Sequence, residues 1–343
     1  MEHKAVSDVD DIGRRSFLEQ SMAMLFAAAA SAAPALASAQ QELQQKSPPK
    51  GATLRFFSGF EAFRLDTGEA FINGVKGGSG PPLLLLHGWP QTHVEWHRLA
   101  PMLAEHFTVV ATDLRGYGDS SKPVDGEDHA GYSKRSMARD QVAVMRQLGF
   151  DRFLVVGHDR GGRVGHRMAL DHPDQVSKLV VLDIAPTYTM YRDVTREFAS
   201  MYFHWFFFIQ RAPIPETLLA GKGDFFLRTW AFPGLIPAVI TEESFAEYLR
   251  CFEDPATQHA MCEDYRAGAS IDLEHDEADL DKKVECPLLA LWGAKGAMER
   301  LYDVLGTWRE RATNVQGKSL PGGHWLPEEL PNEVYSGLMP FLR

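Results

Sequence analysis

Cysteine is scarce in this chain: Cys251, Cys262 and Cys286 are the three in 343 residues. Three thiols cannot build a multi-disulfide framework, and none stands in a C-x-x-C pair. Each is expected to be a structural thiol, packed as a small apolar side chain. Positive charge is also in deficit. The formal net charge of −11 excludes nucleic acid as a partner, since that needs a basic stripe, and makes any anion site a local exception. Long apolar runs are missing apart from residues 22–37, a stretch short for a membrane span and interrupted by Ser31 and Pro34. There is no internal repeat. Glu274-His275-Asp276 has metal-ligand residue types but sits in the acidic run 272–281, read as a solvated segment. No metal and no cofactor is expected. What remains is an ordinary globular composition, 45% hydrophobic and 24% charged, with the length of one large domain carrying an insertion.

The first residues have their own logic. Arg14-Arg15-Ser16-Phe17-Leu18 is a twin-arginine pair followed by Phe-Leu, and the apolar run ends in the small-residue pattern Ala37-Ser38-Ala39. Residues 1–39 are therefore predicted to be a twin-arginine export signal leading to a bacterial periplasm, with no stable membrane span after its removal. Residues 40–52, polar and containing Pro48-Pro49, read as a linker.

Strand and helix patterns then alternate. Residues 63–65 and 70–76 flank Thr67-Gly68 as a hairpin. The continuous apolar run at 83–86 reads as a strand buried on both faces, and 107–112, 153–156, 176–182 and 288–292 read as further strands, with a last one at 315–320. Helical patterns lie at 96–104, 133–148 and 160–170. From 186 to 271 the chain is aromatic-rich and helical, broken at Pro213, Pro215 and Pro233. This predicts an α/β fold: a mostly parallel central sheet with helices on both faces, a core formed by 53–185 and 272–343, and a helical lid over 186–271.

Gly157-His158-Asp159-Arg160-Gly161 follows the strand pattern at 153–156 with the spacing of a nucleophile elbow, in which a tight strand-to-helix turn exposes one side chain. The exposed residue is Asp159, not the usual serine. A carboxylate there would attack saturated carbon and form an alkyl ester. The order Asp159, Asp183, His324 is the nucleophile–acid–histidine order of the α/β-hydrolase fold. The common acid position, in Trp292-Gly293-Ala294-Lys295-Gly296, holds a glycine, so Asp183 is the expected acid, with Glu299 a weaker rival. His324 would activate the water that hydrolyses the ester, with Asp183 orienting its ring. Backbone N–H groups of Trp89 and Arg160 are expected to form the oxyanion hole. Arg160 and Arg163, at i and i+3 on the elbow helix, share a face and could clamp a substrate carboxylate.

The chain resembles the haloacetate dehalogenases, the family typified by fluoroacetate dehalogenase. The segments that carry the likeness are His87-Gly88-Trp89-Pro90-Gln91-Thr92-His93, His158-Asp159-Arg160-Gly161 with Arg163, Leu182-Asp183-Ile184, His204-Trp205, residues 261–268 and Gly322-Gly323-His324. They run from about residue 55 to the C-terminus. The resemblance implies that His204, Trp205 and Tyr265 donate hydrogen bonds to a departing halide. It implies a small anionic substrate and is compatible with a homodimer. The epoxide hydrolases share the Asp nucleophile and His-Gly-Trp-Pro but need two lid tyrosines. Tyr265 could be one, with Tyr188, Tyr191 or Tyr202 as the second. A non-catalytic small-molecule-binding protein on the same fold is disfavoured by the intact Asp159, Asp183 and His324 set.

Overall fold

The structure is a computed structural model that describes residues 53–343, so the expected signal and linker lie outside the described residues. Eight strands form one sheet: β1 (Glu61–Asp66), β2 (Phe71–Gly77), β3 (Pro82–Leu86), β4 (Thr108–Thr112), β5 (Phe153–His158), β6 (Val176–Leu182), β7 (Leu288–Gly293) and β8 (Val315–Leu320). Their spatial order is β1-β2-β4-β3-β5-β6-β7-β8. β1 pairs antiparallel with β2, and β2 with β4. Every pairing from β4 through β3 to β8 is parallel. The Leu83-Leu84-Leu85-Leu86 run is fully buried, as expected of a central strand with helices on both faces. This is the α/β-hydrolase architecture.

The chain runs from β3 outward to β4 on one side, then returns to place β5 on the other. Connections leaving neighbouring strands in opposite directions open a crevice at their carboxyl ends, where open α/β sheets bind ligands. The loop after β3 carries Gly88 and Trp89. The turn after β5 carries Asp159.

Between β6 and β7, short helices span Thr187–Arg192 to Ile271–Ala278. Thr195, Thr241 and Asp254 cap three of them, each side chain accepting a backbone N–H in the first turn. A π-helical turn at Leu227–Ala231 interrupts the set. Among the described residues no helix is long and apolar enough to cross a membrane.

Two local expectations fail. The helix expected over 96–104 is instead a 3-10 turn, His93–Trp96, followed by a single helical turn, Ala100–Leu103. Pro101 explains this: it has no N–H to donate, so it starts a helix rather than continuing one. The acidic run is solvated on one face only: Glu274, Glu277 and Asp281 are exposed. Asp272, Asp276 and Asp279 are buried. Asp272 lies 3.1 Å from Lys134 Nζ and Asp279 2.7 Å from Arg167 Nη2. The acidic helix thus docks on cations of the core.

Candidate active site

The elbow forms as its spacing predicts. The helix Asp159–Asp171 starts directly at the end of β5, and Asp159 has φ of +42°. That left-handed conformation is strained for a non-glycine residue, and such strain concentrates at functional positions. The flanking glycines are sterically required. A Cβ at Gly157 would stand 2.5 Å from the Gly161 backbone, and one at Gly161 would stand 2.2 Å from the Leu86 carbonyl oxygen.

Asp159 is buried at the N-terminus of its helix, where the helix dipole favours negative charge. The Trp89 N–H donates to Asp159 Oδ2 at 3.0 Å, so one of the two expected oxyanion donors already points at this carboxylate. The Arg160 N–H lies in the first helical turn, where amides lack an intrahelical acceptor. Burial alone would push the Asp159 carboxyl up. The positive field of His324, Arg163, Arg160 and His158 outweighs it and holds the group below its ordinary value.

Asp183 ends β6 at φ +52°, a second carboxylate on a left-handed backbone. Its Oδ2 lies 2.6 Å from His324 Nδ1, and its Oδ1 accepts the Gly293 N–H at 2.9 Å. A Cβ at Gly296 would lie 3.6 Å from Asp183 Oδ1, so Asp183 fills the space beside the vacated acid position. The rival Glu299 accepts from the Trp292 indole N–H instead. Asp159, Asp183 and His324 thus converge from three strand ends.

Sequence reasoning missed a buried layer beneath the elbow. His158 Nε2 donates to the His324 carbonyl at 2.8 Å, while its Nδ1 lies 3.1 Å from Glu95 Oε1. Glu95 Oε2 accepts the Gly88 N–H at 2.9 Å. Burial works against charging His158, but Glu95 prevails and raises the imidazole to about 9. This one ion pair braces the oxyanion turn, the elbow and the base loop together. The only hint in the sequence was that His158 and Glu95 are polar residues inside otherwise apolar segments.

The lid completes the other wall. Trp89, Asp159, Tyr202, His204, Trp230 and His324 are among the residues around a cavity of about 460 Å³. Trp205 and Tyr265 sit behind that wall with no solvent exposure. The rings are contiguous: Trp89 stacks on His204 at 5.0 Å, and His204 lies 5.8 Å from Tyr265. Four buried polar atoms here have no hydrogen-bond partner among the described residues: Trp89 Nε1, His204 Nδ1, Trp205 Nε1 and Tyr265 Oη. Buried polar atoms are ordinarily paired, so four of them together make this wall a candidate ligand-binding surface. Desolvation pushes His204 down to about 3, so its ring is neutral.

The two arginines are not the equivalent pair that i, i+3 spacing suggested. Arg160 grips Asp264, through Nε at 2.8 Å and Nη2 at 2.7 Å. Arg163 meets only neutral acceptors: the Ala185 carbonyl at 3.1 Å, Thr187 Oγ1 at 3.0 Å and Met190 Sδ at 3.2 Å. Both are buried, and neither forms part of the cavity wall itself. Arg163 lies 4.7 Å from the Trp205 ring and Arg160 4.2 Å from the Tyr265 ring. The three cysteines are free, and burial raises their thiols.

A family model described as the alpha/beta hydrolase fold matches residues 81–331, and the chain belongs to that family. It is 50% identical over 290 residues to the fluoroacetate dehalogenase of Burkholderia sp, covering 83% of this chain and 95% of that one. The resemblance to the haloacetate dehalogenases is thereby borne out. A soluble epoxide hydrolase of Corynebacterium sp. (strain C12) is 37% identical over 283 residues, covering 80% of this chain and 96% of that one. Among solved structures, one described at the level of an alpha/beta hydrolase, from Nostoc sp PCC 7120, aligns with a TM-score of 0.82 at 58% identity. It covers 84% of this chain and 99% of that one.

Proposed function

We propose that the protein hydrolyses short 2-halocarboxylates to 2-hydroxy acids. One observation carries the reading: Arg163 is a buried cation beside Asp159 with no carboxylate partner among the described residues, and it adjoins a cluster of unpaired donors. A buried charge needs a counter-ion. A substrate carboxylate supplies one for Arg163, and a departing halide supplies the acceptor for His204, Trp205 and Tyr265. The 50% identity with a fluoroacetate dehalogenase supports the same reaction class.

An Asp159 oxygen attacks the α-carbon opposite the halogen. The carbon–halogen bond breaks, and the halide leaves with the bonding pair toward the lid donors. The product of this step is an ester of Asp159. His324, its ring oriented by Asp183, takes a proton from water, and the resulting hydroxide attacks the ester carbonyl. The Trp89 and Arg160 N–H groups stabilise the tetrahedral oxyanion. On collapse the bond between the ester carbonyl carbon and the alkoxy oxygen breaks, His324 returns its proton to the departing alkoxide, and the Asp159 carboxylate is regenerated as the 2-hydroxy acid leaves.

A second reading, epoxide hydrolysis, draws on the Corynebacterium relative and on the free Tyr265 hydroxyl, with Tyr202 at the cavity wall as the partner tyrosine. Halide release from fluoroacetate and chloroacetate, run beside diol formation from an aryl epoxide, separates the two. Diol without halide would replace the first reading with the second. Export through the twin-arginine signal and pairing of two copies belong to the same proposal. Fractionating expressing cells tests the former, and sedimentation of the purified protein tests the latter.

A further inference from the structure

Asp264 is the most heavily coordinated carboxylate at the site. It is fully buried on the lid helix Pro255–Gly268. Its Oδ1 accepts from Arg160 Nη2 at 2.7 Å and from Lys134 Nζ. Its Oδ2 accepts from Arg160 Nε at 2.8 Å and from the Tyr117 hydroxyl at 2.6 Å. Its main-chain carbonyl accepts from Arg160 Nη2 at 2.7 Å. Arg160 and Lys134 hold the carboxyl well below its ordinary range despite its burial. Lys134 is balanced in turn by Asp272, whose Oδ2 accepts from Lys134 Nζ at 3.1 Å while its Oδ1 accepts the Lys134 main-chain N–H at 2.8 Å. Two cations therefore meet two carboxylates, and the charge cancels.

The geometry fixes one edge of the Arg160 guanidinium. With Nε and Nη2 committed, Nη1 is the nitrogen with no protein acceptor among the described residues. Tyr265, with its unpaired hydroxyl, is the next residue on the helix. One carboxylate thus orients the arginine and anchors the lid turn that bears Tyr265.

We propose that Asp264 is a positioning residue for the reaction. It makes Arg160 an oriented donor whose charge is cancelled, and it leaves Arg163, which has no carboxylate at ion-pair distance among the described residues, as the buried cation for the substrate carboxylate. This rests on the haloacetate reading. Its physical content is a sign. Were Asp264 only a negative charge, neutralising it would free Arg160 and tighten carboxylate binding. Were it a positioning residue, neutralising it would loosen binding, because an asparagine must turn its N–H2 toward one set of donors and release them.

The test uses the folded protein and two readouts: halide release from chloroacetate, and binding of glycolate by calorimetry. Asp264→Asn is expected to raise KM and the glycolate Kd at least about tenfold while kcat moves less than about threefold, since orientation of the bound anion is what is lost. Asp264→Glu keeps the charge but lengthens the arm, and it is expected to raise KM in the same direction. It also serves if Asp264→Asn does not fold. Lys134→Met loosens the lid anchor but leaves Arg160 paired, so KM should stay within about threefold. In an Arg160→Lys background, Asp264→Asn should add little. A lower or unchanged KM in folded Asp264→Asn overturns the proposal. So does wild-type behaviour in Asp264→Glu, an equal KM rise in Lys134→Met, or full additivity with Arg160→Lys. If the wild type binds glycolate but releases no halide, the haloacetate reading falls, and weaker glycolate binding by Asp264→Asn still supports positioning. If glycolate binds neither protein, both fall.

Discussion

The two walls of this site are built in opposite ways. On the core wall the expected partners are already engaged. His324 is in contact with Asp183, Asp183 accepts the Gly293 N–H, and Asp159 accepts the Trp89 N–H. On the lid wall the polar atoms are buried and idle: His204 Nδ1, Trp205 Nε1 and Tyr265 Oη. In the proposed reaction Asp159 attacks and His324 takes a proton, and groups with those tasks profit from being fixed in advance. If these atoms cradle the departing halide, as proposed, they have no acceptor until the bond breaks, and leaving them unpaired costs folding stability. The core wall is therefore where function and stability agree, and the lid wall is where they conflict.

The largest test of this contrast is at the nucleophile. Asp159→Asn should lower halide release by about four orders of magnitude or more, because an amide cannot form the ester. Appreciable turnover would break the comparison at its base. Next, His324→Gln should stop the reaction after the first half, with about one halide per site in a burst and steady turnover slower by about 10³-fold. Mass spectrometry of the quenched protein should then find a product-sized adduct on Asp159.

The lid variants sharpen the conflict directly. Trp205→Phe and Tyr265→Phe should each slow defluorination about 10- to 100-fold, and slow debromination less, because fluoride is the stronger hydrogen-bond acceptor. Trp205→Phe also leaves a cavity and should lose stability. Thermal unfolding of Tyr265→Phe, which removes the hydroxyl alone, should show stability unchanged or raised by up to about 1 kcal/mol, since an unpaired buried polar atom is gone. Asp183→Ala should do the reverse, lowering stability by about 1–3 kcal/mol by orphaning the Gly293 N–H. If Tyr265→Phe destabilises the fold, its hydroxyl serves stability and the contrast collapses.

The smallest effect on rate concerns His158. Its folded value of about 9 lies above the ordinary 6.5. Its ion pair with Glu95 therefore contributes fully below pH 6.5, and the contribution is lost as pH rises through about 9. The wild type should lose at most on the order of 3 kcal/mol across that window. Denaturant unfolding of His158→Gln at the two ends should show that difference removed.

Much of this was legible before any coordinates. The central strands β3 and β5 read clearly because a parallel strand buried on both faces writes itself as a run of apolar residues. The Gly-x-Asp-x-Gly spacing read correctly because only glycine fits between β3 and the elbow helix. The pair Arg160 and Arg163 was visible, but its asymmetry was not. Asp264 lies more than a hundred positions away and reaches Arg160 through the lid, and no local pattern encodes that approach. The acidic helix Ile271–Ala278 was misread for the same reason, because its counter-ions Lys134 and Arg167 come from distant helices. His158 and Glu95 illustrate the remaining gap. Buried ion pairs look, in sequence, like exceptions to an apolar pattern, and only the fold says which exceptions meet.

The carboxylate that serves His324 is defined by an address in space, not by a slot in the chain. Asp183 stands at the tip of β6, yet it is tied to the amide of Gly293 at the tip of β7, and the room at Gly296 is what admits it. Neighbouring strand tips in a parallel sheet are within one side chain's reach of each other. A carboxylate on the tip of either strand therefore faces the same histidine, and the acid can stand on β6 or on β7 without any shift of His324.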